Sequence, residues 1–178
     1  MSLTDISSTT DAIVIGRNEG ARLVACLDSL HGQFRQIVYV DSGSTDDSVN
    51  VAEALGAKVV QLDVSHGFTA ARARNAGLAI LADTPPDFVQ FIDGDCVLQT
   101  GWLALAQRFL NDTPKAAVTC GRRREKHPEA SVYNQLCDDE WDTPIGRTRA
   151  CGGDALMRYE ALSDANGFRE DLIAGEEP

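Results

Sequence analysis

The fold is decided by the stretch Phe88-Val89-Gln90-Phe91-Ile92-Asp93-Gly94-Asp95, a short and mostly apolar run that ends in two acids around a glycine. Runs of this length and composition, bounded by turn-forming residues, are typical of a buried strand. Gly94 permits a tight turn, so both carboxylates can be presented where the strand ends. Ligands of open α/β sheets bind outside the carboxyl ends of the strands. The stretch therefore predicts a strand that leads into a binding edge.

Apolar runs alternate with helical patterns on both sides of this strand. The predicted strands are residues 12–15, 36–40, 58–62 and 88–92, and the predicted helices are residues 21–30, 68–81, 102–110 and a segment that starts after Ser44 or Thr45 and ends at Leu55. Such alternation forms right-handed βαβ units around a parallel sheet. Residues 116–119 are a candidate fifth strand, and an irregular segment follows to Ala150. We expect an α/β fold with a mostly parallel, Rossmann-like sheet, helices on both faces and an elaborated C-terminal part.

Length and charge exclude several classes of protein. The 178 residues are enough for one domain, residues 1–178. The net charge of −11 has the wrong sign for a protein that binds nucleic acid. No apolar stretch approaches the ~20 residues of a transmembrane helix. We therefore expect no nucleic-acid partner and no transmembrane segment.

The five cysteines form no C-x-x-C pair, which favours a reducing cytoplasm over a disulfide framework or a zinc ribbon. A peripheral position at the inner face of a membrane is compatible with this interpretation. The chain closes on Gly175-Glu176-Glu177-Pro178, which resembles the start of a helix more than a tail. We therefore expect the sequence to be cut from a longer one.

Three acids are predicted to meet at the carboxyl edge of the sheet. Asp41 directly follows the second strand, and Asp93 and Asp95 follow the fourth. Their charges would repel each other unless a cation lay among them. Oxygen ligands of this kind suit Mg²⁺ or Mn²⁺, held by one or two carboxylates together with substrate phosphates. The alternative is that each acid caps the helix that follows it.

Six segments, in order, resemble the signature segments of family 2 glycosyltransferases. They span nearly the whole chain and are Ile15-Gly16-Arg17-Asn18-Glu19-Gly20, Val40-Asp41-Ser42-Gly43-Ser44-Thr45-Asp46, Ala73-Arg74-Asn75-Ala76-Gly77, Phe91-Ile92-Asp93-Gly94-Asp95, Gly152-Gly153-Asp154-Ala155-Leu156-Met157-Arg158 and Gly175-Glu176-Glu177. The resemblance implies the GT-A fold, with a nucleotide-sugar-binding half over about residues 1–115 and a partial acceptor-side half over residues 116–178. It also implies inverting transfer of a sugar from a nucleotide-diphosphate sugar, by default a UDP-sugar, to a hydroxyl of an unidentified acceptor, which could be a saccharide, a lipid or a small molecule.

The resemblance also assigns roles to individual residues. Asp41 would read the edge of the base, Arg74 would approach the base or the diphosphate, Asp93 would contact the ribose or the metal, and Asp95 would coordinate the metal. The remaining nucleoside-binding positions would be Gly16, Arg17, Asn18, Glu19 and Ser42. The turn with Gly153 and Asp154 would border the donor sugar and the acceptor.

The general base of the family is the second acid of a Glu-Asp or Asp-Asp pair, which falls on Glu177 here, after Glu176. A base is required because a sugar hydroxyl is a poor nucleophile until it loses its proton. This chain departs from the family by having a Glu-Glu pair, which leaves open which of the two acids is the base. It also has no Gln-x-x-Arg-Trp segment for the acceptor.

Other charged and aromatic residues have plainer interpretations. The basic run Arg122-Arg123-Arg124-Glu125-Lys126-His127 is typical of solvated loop surface and stays outside the predicted site. Cys96 is interpreted as a small buried apolar residue. Trp102 is interpreted as core, whereas Trp141 could stack on a sugar or anchor the irregular segment.

Three other functions fit parts of the pattern. An apolar strand ending in D-x-D-x-V also resembles the first motif of haloacid-dehalogenase-type phosphatases, with Asp93 as nucleophile, but three βα units precede it here. A dinucleotide oxidoreductase is disfavoured because the first strand is not followed by G-x-G-x-x-G. A non-catalytic sugar-nucleotide-binding module is the third alternative.

Overall fold

The computed structural model describes residues 9–148 and 150–172, except for the side chain of His66. The regular elements in chain order are β1 (Thr10–Gly16), α1 (Ala21–Leu30), β2 (Ile37–Asp41), α2 (Ser48–Ala54), β3 (Lys58–Gln61), α3 (Ala70–Leu81), β4 (Phe88–Asp93), α4 (Trp102–Asp112), β5 (Val118–Cys120), α5 (Val132–Glu140), β6 (Ala155–Arg158) and α6 (Tyr159–Asp164). Single 3₁₀ turns lie at Val64–His66 and Pro128–Ala130.

The strands form one sheet in the order β3-β2-β1-β4-β6-β5. β1 pairs in parallel with both β2 and β4, and β2 pairs in parallel with β3. β6 runs antiparallel between β4 and β5. The mostly parallel α/β sheet expected from the sequence is confirmed, and its central strands are β1 and β4.

Neighbouring residues of the central strands pack into different cores, as the two-residue period of a strand requires. Ile13 and Phe91 belong to the core beneath α3 and α6, whereas Val14 and Ile92 belong to the core beneath α1. α4 packs through Leu103, Ala106 and Leu110 against Phe88 of β4 and Leu156 of β6. Helices therefore cover both faces of the sheet and leave its carboxyl edge open.

α2 begins at Ser48, later than the predicted start after Ser44 or Thr45. The backbone N–H groups of Gly43 and Ser44 donate to the carboxylate of Asp41. The N–H of Thr45 donates to Oδ1 of Asn18 at 2.7 Å. These donors are used by the turn that follows β2, which is hydrogen-bonded to Asn18 in the loop after β1. The helix therefore starts only after them.

The segment predicted to be irregular contains regular elements. It includes α5, which begins after Ser131, whose hydroxyl accepts from the N–H of Asn134 as an N-cap. The signature that starts at Gly152 leads into β6, which the sequence analysis did not assign as a strand.

Candidate active site

A cleft of about 300 Å³ opens at the carboxyl ends of β1 and β4. Six of the residues predicted to form the site line it: Gly16, Arg17, Glu19, Ser42, Asp93 and Asp95. This is the edge of the sheet at which open α/β proteins bind their ligands.

Two glycines allow the strand ends to approach each other closely. A Cβ at Gly16 would lie 3.0 Å from Cγ of Glu19, and a Cβ at Gly94 would lie 3.2 Å from the carbonyl oxygen of Ile15. The N–H of Gly94 donates to that carbonyl at 2.8 Å, and the N–H of Ser42 donates to the carbonyl of Gly16 at 3.0 Å. The ends of β1, β2 and β4 are therefore joined by backbone hydrogen bonds directly beneath the cleft.

The carboxylate of Asp41 is buried and fully used by the turn that follows β2. Its Oδ1 accepts from the hydroxyls of Tyr39, at 3.1 Å, and Ser44. Its Oδ2 accepts from the N–H groups of Gly43 and Ser44 at 3.0 and 2.8 Å. Asp41 therefore shapes the wall of the site through the turn, and its predicted contact with the base remains a prediction.

Carboxylates and guanidinium groups alternate at the centre of the site. Oδ1 of Asp93 lies 3.2 Å from Nη2 of Arg74, a side chain that α3 buries, and Oδ2 lies 3.5 Å from Nη2 of Arg123. The backbone N–H of Asp93 donates to Oδ1 of Asp154 at 3.1 Å. Nε of Arg123 donates to Oδ2 of Asp154 at 2.7 Å. Arg123 thus bridges β4 and the residue just before β6.

This arrangement sets the protonation of the neighbouring groups. Burial and the charge of Asp154 raise the pKa of Asp93, while Arg74 and Arg123 lower it. Burial and the surrounding carboxylates raise the pKa of the Cys26 thiol to about 12, and the pKa of Cys96 is also raised, for the same reasons. Both thiols are neutral at physiological pH, so neither is an activated nucleophile.

The turn before β6 brings two further predicted residues to the site. A Cβ at Gly153 would lie 2.5 Å from Nη2 of Arg74 and 2.9 Å from Oδ2 of Asp93, so only glycine fits there without displacing those groups. Asp154 lies beside it against Arg123 and Asp93. The structure therefore brings Arg74, Asp93, Gly153 and Asp154 together. Glu176 and Glu177 lie outside the described residues.

The sequence analysis missed two residues of this site. Arg123, assigned to solvated surface with the rest of its basic run, reaches Asp93 and Asp154. Phe68 is 50% exposed and lines the cleft, with the guanidinium carbon of Arg17 4.7 Å from its ring centroid. The available signal for the basic run was the acidic segment 138–142, whose acids pair with Arg122 and Arg124 on either side of Arg123. Nothing local to Phe68 distinguished it from a core aromatic.

The carboxylates next to the cleft fit a hard divalent cation bound jointly with a ligand. Asp95 is exposed, and no ion pair involves it within the described part of the chain. Glu19 borders the same cleft. Its Oε2 is buried and lies 2.8 Å from Nη2 of Arg22, an ion pair that does not have the alignment of a hydrogen bond. Over residues 9–148 and 150–172, no three His, Cys, Asp or Glu side chains are grouped to hold a metal on their own. A Mg²⁺ ion takes one or two carboxylates and completes its coordination with phosphate and water, so Asp95 and Asp93 are the residues that would hold it together with a phosphate ligand.

The sequence profile of Glycosyl transferase family 2 matches residues 11–163, from the second residue of β1 to the penultimate residue of α6. The chain belongs to glycosyltransferase family 2. An uncharacterized glycosyltransferase of Rickettsia felis is 45% identical over 49 residues, which are 28% of this chain and 17% of that protein. A TPR repeat-containing protein of Synechococcus elongatus is 30% identical over 124 residues, 69% of this chain and 29% of that protein.

Solved structures share the fold of this glycosyltransferase. S. aureus TarS 1-349 in complex with UDP superposes with a TM-score of 0.66 at 21% identity, over 94% of this chain and 52% of that chain. Glucosyl-3-phosphoglycerate synthase from Mycobacterium tuberculosis, in complex with phosphoglyceric acid, gives a TM-score of 0.60 at 22% identity, over 92% of this chain and 63% of that chain. The expected GT-A fold is confirmed, and this chain spans about half to two thirds of the length of these structures.

Family membership decides against the phosphatase and oxidoreductase alternatives, since the D-x-D of β4 occurs within the glycosyltransferase match. None of the helices described here is both long and apolar enough to cross a membrane.

Proposed function

We propose that this protein transfers a sugar, with inversion, from a UDP-sugar to a hydroxyl group of a saccharide, lipid or small-molecule acceptor in the cytoplasm, with a divalent metal bound at the donor diphosphate. The observation that carries the proposal is the cluster of Arg74 and Arg123 around Asp93 and Asp154. It adjoins the cleft at the strand ends, which Asp93 and the exposed Asp95 line. TarS has been solved with UDP and with UDP-GlcNAc, and glucosyl-3-phosphoglycerate synthase with UDP, which supports a uridine nucleotide as the donor group.

The donor side supplies positive charge where the leaving group gains negative charge. Departure of UDP leaves its diphosphate with additional negative charge, which preorganised cationic groups stabilise. Arg74 and Arg123 are both held in place by Asp93, and Arg123 also by Asp154, so their guanidinium groups need little reorganisation. Mg²⁺ or Mn²⁺, bound by Asp95 with Asp93, supplies Lewis-acid stabilisation of the same charge.

The acceptor side requires a proton acceptor. The hydroxyl group that attacks the anomeric carbon loses its proton to a carboxylate, which we assign to Glu177 with Glu176 beside it. Attack from the face opposite the departing UDP inverts the configuration at that carbon. Gly153 packs closely against Arg74 and Asp93, and its lack of a side chain keeps both groups in place next to the point where the donor sugar and the acceptor would meet.

Binding of UDP tests the proposal directly. A ligand that binds only the folded state raises the melting temperature. We expect UDP to raise the Tm when Mn²⁺ is present, and to raise it more than CDP, GDP or ADP does. Slow release of UDP from a UDP-sugar would identify an enzyme, whereas tight binding without any release of UDP would favour the non-catalytic module. No shift with any nucleoside diphosphate would contradict the proposal.

Phe68 is expected to provide a stacking surface for the base. Its exposed ring lines the cleft beside Arg17, and stacking of aromatic rings contributes about 1 kcal/mol, or roughly fivefold in affinity. Replacing Phe68 by Ala should therefore raise the Kd of UDP about fivefold and leave the Kd of pyrophosphate unchanged. Phe109→Ala is the matched control, because Phe109 is 49% exposed on α4 and does not line the cleft. Equal losses for UDP and pyrophosphate would refute base stacking.

A further inference from the structure

The three consecutive arginines that follow β5 point in alternating directions. Arg124 pairs with Asp138 in the last turn of α5, and Arg122 pairs with Asp142 just after that helix. Arg123, between them, turns to the active site and pairs with Asp93 and Asp154. Alternation of this kind is the geometry of an extended chain.

The contacts with α5 are close and well formed. Nε and Nη2 of Arg124 each lie 2.7 Å from a carboxylate oxygen of Asp138, and the N–H of Glu125 donates to the same carboxylate at 2.9 Å. Nη2 of Arg122 lies 2.7 Å from Oδ1 of Asp142. Asp138 lies in the last turn of α5 and Asp142 lies two residues after the helix ends, so the two acids hold the arginine segment from the helix and from the chain that follows it.

α5 has few other attachments to the rest of the domain. None of its residues is buried, and the apolar side chains of Val132, Tyr133 and Leu136 are all more than half exposed. The ring of Trp141, directly after the helix, lies under the guanidinium of Arg123 at 5.3 Å. The helix end therefore reaches the active site through Arg123 on one side and holds the two flanking arginines on the other.

We propose that the C-terminal end of α5 is a clamp that positions Arg123 for the donor: Asp138 and Asp142 hold Arg122 and Arg124, the backbone between them is fixed, and the guanidinium of Arg123 stays against Asp93 and Asp154. Asp138, Asp142 and Trp141 are positioning residues in this scheme, since they act through Arg123. The proposal rests on the proposed function for its ligand, because the charge that Arg123 would meet is the diphosphate of the donor.

The charge balance of the site explains why the clamp matters. Asp93, Asp95 and Asp154 carry three negative charges next to the cleft, and Arg74 and Arg123 offset two of them. When Arg123 is displaced, Asp154 loses its ionic partner, and a diphosphate meets one more uncompensated carboxylate charge. Repulsion between that carboxylate and the diphosphate weakens the binding of the nucleotide. Asp138 is ionised at neutral pH, since its hydrogen bonds from Arg124 lower its pKa to about 2.

A double-mutant cycle tests the clamp. Asp138→Asn should raise the Kd of UDP about three- to fivefold, the size expected for loss of a partly exposed charged contact. Asp139→Asn is the matched control, since it makes the same charge change at an exposed neighbouring position of α5, and it should leave the Kd unchanged. Arg123→Ala should raise the Kd at least as much as Asp138→Asn does. Adding Asp138→Asn to Arg123→Ala should have no further effect, because the two residues act as one unit.

Rescue separates a positioning role from a purely structural one. The charge-swapped pair Arg124→Asp with Asp138→Arg should recover most of the affinity that either single change removes. Additive losses of Asp138→Asn and Arg123→Ala, or equal effects of Asp138→Asn and Asp139→Asn, would overturn the proposal.

A measurement made without any ligand tests the clamp independently of the proposed function. Arg123 covers the ring of Trp141, so opening the clamp should make the tryptophan fluorescence more sensitive to acrylamide quenching. Asp138→Asn should increase the quenching and Asp139→Asn should not. If the unmodified protein fails to bind UDP, the proposed donor is wrong, and the quenching result alone decides whether the clamp exists. Unchanged quenching in Asp138→Asn would then refute it.

Discussion

Replacing Glu177 by Gln is expected to lower the turnover of sugar transfer by ~10²–10⁴-fold, with little change in the affinity for UDP. Glutamine keeps the size of the side chain and removes its ability to accept a proton. The transition state then loses general-base catalysis, while the ground-state contacts with the donor are unaffected. The measurement is the initial rate of UDP release from a UDP-sugar at saturating donor, together with the Kd of UDP for the same variant.

Glu176→Gln is the control for this result, and its effect on turnover should be milder. Two acids that follow a glycine also stabilise the start of a helix through its dipole, whatever the protein does. A purely structural pair would lower the Tm in both variants and leave the rate per folded molecule unchanged. If Glu176→Gln is instead the inactive variant, the base is Glu176, and the family pattern applies here with a shift of one residue.

Replacing Asp95 by Ala is expected to abolish the enhancement of UDP binding by Mn²⁺, a loss of about 10- to 100-fold in affinity at saturating metal. Asp95 is the exposed carboxylate at the end of β4, whereas Asp93 is already held between two arginines. Asp95 therefore has the carboxylate that is available to bind a cation together with the diphosphate. Titration calorimetry with UDP, with Mn²⁺ and with excess chelator, measures the effect.

Asp112→Ala serves as the control for the loss of one acidic side chain. Asp112 is highly exposed at the end of α4, and its pair with Arg108 is a loose surface contact of 3.6 Å. This variant should keep the full response to Mn²⁺. The assignment of Asp95 fails if unmodified protein binds UDP equally well with chelator, or if Asp95→Ala retains the metal response.

The parallel sheet and the acids that follow its strands were predictable from the sequence, because both depend on short-range patterns. An apolar run followed by an acid places Asp41 and Asp93 at strand ends in almost any α/β fold, and the sheet then brings those ends to one edge. The close fit of Gly153 against Arg74 and Asp93 could not be predicted in this way. It depends on β6, which returns antiparallel beside β4 from far along the chain.

Arg123 escaped prediction for an electrostatic reason. A run of basic residues has the same local pattern whether it is solvated or paired, and pairing depends on which acids the fold brings near it. The informative feature was the acidic segment 138–142, in which Asp138 and Asp142 pair with the arginines on either side of Arg123. Since the apolar side chains of α5 are exposed, its sequence lacked the buried stripe by which a helix is usually recognised.

The insertion of β6 between β4 and β5 also constrains how the protein folds during synthesis. β1 to β4 can pair as soon as they emerge from the ribosome, but one edge of β4 stays open until residues 155–158 arrive, and β5 pairs only with β6 in the described sheet. Until then the nascent chain carries an apolar strand with unpaired backbone groups, which is a site for association between chains. A ribosome that stalls before Ala155 therefore holds a chain prone to aggregation. Pairing of β6 covers that edge of β4, and the turn before β6 brings Gly153 and Asp154 to Arg74 and Asp93 in the same step.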